Sequence, residues 1–150
     1  MTIWPPLTDI LAHRPPLLLL TRIVDASAET LDAEYQLEPD AWYADAQGNM
    51  PCWIGVEVMA QGVAAYVGLE GWQHGRPFRQ GVLLGTRAYV TNLATFAQGV
   101  PLHVHVVMQF RDEGGLGAFA CELSQAGKVV ASAILKVFEP ADFAAFLEAA

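Results

Sequence analysis

The sequence predicts an α+β domain in which an antiparallel β-sheet wraps around one long central helix. Three observations carry that expectation. The 150-residue chain offers one long helix candidate, residues 53–69, and it is apolar on nearly every side. Four strand-like segments follow it in succession, joined by short turns. No helical stretches alternate with those strands, as a doubly wound fold would require. A helix that is hydrophobic all round has to be buried all round, and a sheet curling over it achieves this with few elements.

Residues 7–13 have room for one or two helical turns, ended by Pro15 and Pro16. Residues 17–26 read as a strand. Residues 29–37 alternate Thr30, Asp32, Glu34 and Gln36 with Leu31, Ala33, Tyr35 and Leu37, the period of a strand with one buried face. Residues 38–52 read as an irregular loop. Pro51 suits the start of the helix that follows. Within that helix Gly55 and Gly62 lie seven apart, on one face, and would admit a closely packed sheet. Strands are expected at 82–91, 100–111, 116–125 and 128–138, with hairpin loops at 112–115 and 125–127. Residues 140–150 suit a short amphipathic helix. With no internal repeat and no linker, residues 1–150 read as a single domain. Two strands, one buried helix and four strands make the pattern of a hotdog fold.

A chain of this length buries roughly 70% of its unfolded surface and needs no disulfide or metal staple. Hydrophobic residues make up 53% and charged residues 16%. That excess of apolar surface points to burial between subunits, as a homodimer or heterodimer. The net charge of −8 argues against nucleic acid, which needs clustered positive charge. Docking of an acidic partner would need a local basic patch, for which Arg76, Arg79 and Arg87 are candidates. Cys52 and Cys121 form no disulfide framework and have no metal-ligand spacing around them, so neither a metal nor a cofactor is expected. No charged segment precedes an apolar run at the start, and Leu17–Leu20 is too short to cross a bilayer. Glu57, Gln61 and three glycines within 53–69 favour a buried helix over a membrane span. A cytoplasmic location is expected.

Two stretches resemble a known family. Ile10-Leu11-Ala12-His13-Arg14-Pro15-Pro16 leads into Leu17–Val24, and Met50-Pro51-Cys52-Trp53-Ile54-Gly55-Val56-Glu57-Val58-Met59-Ala60-Gln61 spans the start of the helix. Together they resemble the beta-hydroxyacyl-acyl-carrier-protein dehydratases, which open on a His-Arg-x-Pro segment and carry Met-Pro-Gly before a Glu and Met-Ala-Gln. Phe96–Leu102 is similar more loosely. Within that family, Pro51–Glu57 and Leu83-Leu84-Gly85-Thr86-Arg87 resemble the aryl-polyene branch. The resemblance implies a hotdog fold and elimination of water from a 3-hydroxyacyl chain on acyl carrier protein, in fatty-acid-like or aryl polyene chain building. It also implies a dyad shared between subunits, with a His from one and an acid from the other. This chain departs from the pattern. The family His falls seven residues before the Met, where Tyr43 stands, and no His occurs between residues 14 and 73. Cys52 replaces the family Gly.

Dehydration needs a base for the C2 proton, an acid for the C3 hydroxyl and donors for the thioester carbonyl. Glu57 is the candidate catalytic carboxyl, and burial in an apolar helix is expected to raise its pKa. Gln61, four residues on, shares its stripe and is placed to orient it. Backbone N–H groups around Cys52 and Trp53 are candidate carbonyl donors. The missing base has three answers: a His from a second hotdog chain, Tyr43 or Asp45 of this one, or a chain that is a non-catalytic partner. Thioester hydrolysis is a further alternative, since hotdog thioesterases use a similar carboxylate. His13 belongs to the opening motif, and the prolines beside it favour a structural role. His103 and His105 share one strand face, with no third metal ligand evident nearby, and His74 is expected to be exposed. Trp42, Tyr43, Trp53, Tyr66 and Phe96 are candidates to line an acyl tunnel or simply to fill the core.

Overall fold

The computed structural model describes residues 2–149. Strands β1 (Arg22–Ala26), β2 (Thr30–Tyr35), β4 (Val82–Thr91), β6 (Leu102–Arg111), β7 (Leu116–Gln125) and β8 (Lys128–Phe138) form one antiparallel sheet in the order β1-β2-β6-β7-β8-β4. Helix α1 (Gly55–Gln73) follows a 3-10 turn at Cys52–Ile54 and lies across the concave side. A short helix α2 (Phe143–Ala149) ends the described chain. This is the hotdog arrangement.

Period-two patterning builds the sheet. Leu31, Ala33 and Tyr35 of β2 face the helix beside Leu102, Val104 and Val106 of β6. Phe119, Cys121 and Leu123 of β7 and Ala131, Ala133 and Leu135 of β8 continue that inner layer. Glycine lets the helix sit down on it. A Cβ on Gly62 would come within 3.1 Å of Val104 and 3.2 Å of Val106. The turn between β7 and β8 takes Ala126 and Gly127 through positive φ, the conformation that a two-residue hairpin needs.

Several expectations are corrected. The strand expected at 17–26 begins only at Arg22, because the chain turns at Arg14–Leu18 and its backbone finds a side-chain partner on α1 instead of a neighbouring strand. The loop at 38–52 ends in β3 (Met50–Pro51), which pairs with β5 (Thr95–Phe96) in a two-stranded sheet that the sequence did not announce. Helix α1 runs to Gln73 rather than residue 69. It is also not buried all round. Val58, Met59, Gln61, Gly62, Ala65, Tyr66 and Leu69 are covered, but the sheet reaches one side only, and Glu57, Ala60, Ala64 and Val67 stay partly open. Helix and turn together are long and apolar enough to cross a membrane by composition, yet more than half of that stretch is buried in the core.

Strand β4 is the long edge of the main sheet. Leu83, Leu84 and Val90 are exposed on it, and two register shifts interrupt its pairing with β8. The packing at Gly62 yields a test. Gly62→Val forces a branched side chain against Val104 and Val106 and is expected to destabilise the chain by about 1–3 kcal/mol, read from urea unfolding.

Candidate active site

Gln61 is fully buried and uses every polar hydrogen and its carbonyl at once. Its Oε1 accepts the N–H of Leu19 at 2.8 Å. Its Nε2 donates to the carbonyl of Leu17 at 2.8 Å and to Oε1 of Glu57 at 3.0 Å. The four-residue spacing read from sequence therefore does bring Gln61 to Glu57. It also explains the Leu17–Leu20 run. Leu19 and Leu20 plug into the core while the backbone beside them is held by an amide on the helix.

Glu57 opens the first turn of α1, with its side chain 48% exposed. His13, reached through the Arg14 turn, places Nε2 3.5 Å from the Oε1 that Gln61 already engages. The expected upward pKa shift is overturned. The His13 imidazole holds the Glu57 carboxyl below the usual glutamate range, against the opposing effect of partial burial, with help from the Gln61 amide and from charge on His13. Glu57 is thus set up as a carboxylate, because its helix end is open and two donors face it.

Glu57 and His13 stand in the wall of a cavity of about 220 Å³ along the open face of α1. Its floor is Ala60, Val63, Ala64 and Val67, one face of the helix, and its far side includes Phe78, Leu83 and Phe138. From Glu57 to Val67 the helix advances about 15 Å. A larger cavity of about 950 Å³ lies toward the other end of α1, where Arg111 pairs with Glu70 and Glu139.

The other candidates lie elsewhere or are already engaged. Tyr43 is buried in the core with its hydroxyl 2.5 Å from that of Tyr35, and burial pushes its phenol up, away from use as a base. Asp45 accepts the N–H groups of Gln47 and Asn49 and shapes a turn. The Cys52 N–H is taken by the carbonyl of Ala94 at 2.9 Å, so it is not the free donor expected of a helix start. Trp53 is two-thirds exposed beside Glu57's turn. None of the five aromatics proposed for a tunnel lines the groove at Glu57: Phe96 is core, Trp42 donates to the Pro16 carbonyl, and Tyr66 donates to the Ala28 carbonyl. His74 contacts the Glu70 carbonyl at the end of α1. His103 and His105 both lie 2.7 Å from Oδ1 of Asp32 on the outer face of the sheet, a partner that only strand pairing brings near. No group of three metal-ligating side chains is arranged for a metal among the described residues. Arg76, which pairs with Glu70, and Arg79 both line the larger cavity, Arg79 also lines the groove, and Arg87 lies exposed on β4.

The sheet wrapped over one central helix, with a carboxylate at the first turn beside a groove, places the chain among hotdog-fold proteins. Residues 5–148 match the ApeP-like family, described as ApeP dehydratase, and the chain belongs to that family. A solved structure described as the dehydratase heterocomplex ApeI:P from Xenorhabdus doucetiae aligns with a TM-score of 0.91 at 24% identity, over 97% of each chain. The TT0310 protein from Thermus thermophilus aligns at 0.62 with 16% identity, over 84% of this chain and 98% of that one. A hypothetical thioesterase with coenzyme A from Streptococcus pneumoniae aligns at 0.60 with 12% identity, over 79% and 84%. No curated protein matches the chain.

The Gln61 contacts generate a prediction. Gln61→Leu strands the Leu19 N–H and the Leu17 carbonyl and is expected to cost about 2–4 kcal/mol in urea unfolding. Hydrogen exchange at the Leu19 amide should quicken in the same variant.

Proposed function

We propose that this chain is a 3-hydroxyacyl-carrier-protein dehydratase subunit that eliminates water to leave a 2-enoyl thioester, in fatty-acid-like or aryl polyene chain building. One observation carries the reading: the Glu57 carboxyl, held below the usual glutamate range by His13 and Gln61, stands at the wall of a groove of about 220 Å³ floored by Ala60, Val63, Ala64 and Val67. In this mechanism Glu57 takes the C2 proton on Oε2, the oxygen that Gln61 and His13 leave open. The C3–O bond then breaks, and the hydroxyl leaves as water with a proton supplied from the opposite side. The Trp53 N–H polarises the thioester carbonyl as charge builds on it. Family resemblance supports a His of a second hotdog chain as the other member of the dyad, which makes the site composite; with Glu57 as the base, that His is left to supply the proton. The exposed apolar edge of β4 and the open face of α1 are where such a chain would lie. Arg79 at the groove and Arg87 on β4 offer positive charge to an acidic carrier protein. Absence of cofactor and metal from the reaction is part of this proposal, as are a single domain and a cytoplasmic location.

The test is an intact-mass assay on a 3-hydroxyacyl carrier protein, with the chain alone and with a companion hotdog subunit. Loss of one water that Glu57→Gln abolishes is the expected result, and full activity in that variant overturns the role of Glu57. Loss of water only with the companion supports the shared site, whereas loss by the chain alone refutes it. No loss under either condition favours a non-catalytic partner or a thioesterase. Ala64→Phe narrows the groove midway along the helix. It is expected to cut kcat/KM on long acyl chains at least tenfold, about 1.4 kcal/mol, while sparing the shortest ones.

A further inference from the structure

We infer that His13 is a positioning residue for Glu57, supplying from the same chain an imidazole that occupies one carboxylate oxygen and leaves the other to the groove. The inference rests on the proposed function and deepens it, since it assigns a task to the His that the opening motif carries.

Geometry is the first argument. His13 Nε2 and Gln61 Nε2 approach the same oxygen of Glu57, at 3.5 Å and 3.0 Å. A hydrogen bond from Gln61 and an ion-pair contact from His13 on the same oxygen restrict the rotation of the carboxyl group and leave its second oxygen as the reactive one. The other ring nitrogen is the second argument. Nδ1 of His13 is buried with no hydrogen-bond partner among the described residues. A buried polar atom left unpaired costs about 1–3 kcal/mol, and native structures keep such atoms where something offsets the cost.

The frame around His13 is the third argument. The Arg14 guanidinium donates to the carbonyls of Thr8, Leu11 and His13 itself, which shapes the turn around the imidazole. Ile10 and Leu11 are buried on one side of it, and Gln61 grips Leu17 and Leu19 on the other. A Cβ on Gly68 would overlap the Ile10 carbonyl, so the segment sits directly on the helix backbone. The ring is thus carried by backbone held at both ends. Besides His13, the titratable groups that line the groove with Glu57 are Arg79 and Glu139.

A loop histidine with a purely structural task would affect stability and leave the Glu57 carboxyl as it was. The experiment follows that carboxyl. Carbon-13 titration of glutamate carboxyls in the intact chain, with Glu57 assigned by its loss in Glu57→Gln, gives its midpoint. In the native chain the midpoint lies below that of an ordinary glutamate, so the carboxylate persists to lower pH. His13→Phe keeps a ring of similar size without a donor, and the midpoint is expected to rise. His13→Gln retains an N–H and is expected to bring it partly back. In the dehydration assay the acid limb of kcat/KM should move up by the same amount in His13→Phe, with roughly tenfold loss in kcat and little change in KM. An unchanged midpoint in a folded His13→Phe, or a His13→Gln midpoint no lower than that of His13→Phe, overturns the inference. If Glu57→Gln leaves dehydration intact, the proposed function fails, while the titration still reports on the contact between His13 and Glu57.

Discussion

The structure depends on one side-chain amide. Gln61 sits at the bottom of the central helix's packing against the N-terminal segment, and its three hydrogen bonds join elements that share no strand ladder. The buried N–H of Leu19 and the partly buried carbonyl of Leu17 need partners, and the prolines before them prevent a regular strand from supplying these. The amide satisfies both groups and directs its remaining hydrogen to Glu57. The same residue that closes the fold therefore aims the carboxylate. Any loss at this position propagates to stability and to the site together, because no polar atom of the side chain is spare.

The second constraint is the one-sided cover of α1. The sheet packs against Val58, Gly62 and Ala65 and leaves Ala60, Ala64 and Val67 as the floor of a groove. Small side chains there keep the groove open. Incomplete cover also decides the electrostatics of Glu57. In a fully apolar site desolvation would dominate and the acid would be protonated, but here the helix end is half open and His13 and Gln61 both face one oxygen. An ionised carboxylate suits removal of a proton from carbon better than donation to a leaving group.

Much of the frame was legible in the residues. Alternation in β2, β6, β7 and β8 marks their buried faces, and Gly55 and Gly62 mark where the sheet comes close. Glu57 and Gln61 could be paired from their spacing because helix geometry is local. The two-stranded β3–β5 ladder was not legible, since two-residue strands carry no periodicity. The Leu17–Leu20 run misled for a related reason: an apolar sequence reports burial, and says nothing about whether a strand or a side chain satisfies its backbone. Tyr43 occupied the aligned position of the family His, yet packing commits its hydroxyl to Tyr35.

By itself the sequence determined the antiparallel sheet over one helix, the family likeness and the carboxylate–amide pair. These follow from short-range rules: period two, period 3.6 and motif order. Tertiary structure alone decided that His13 reaches Glu57 across forty-four positions, that Asp32 meets His103 and His105, and that one face of α1 stays open. Each of these depends on how distant segments pack. A side chain's partners across that distance are set by the packing of the whole core, and no local pattern encodes them.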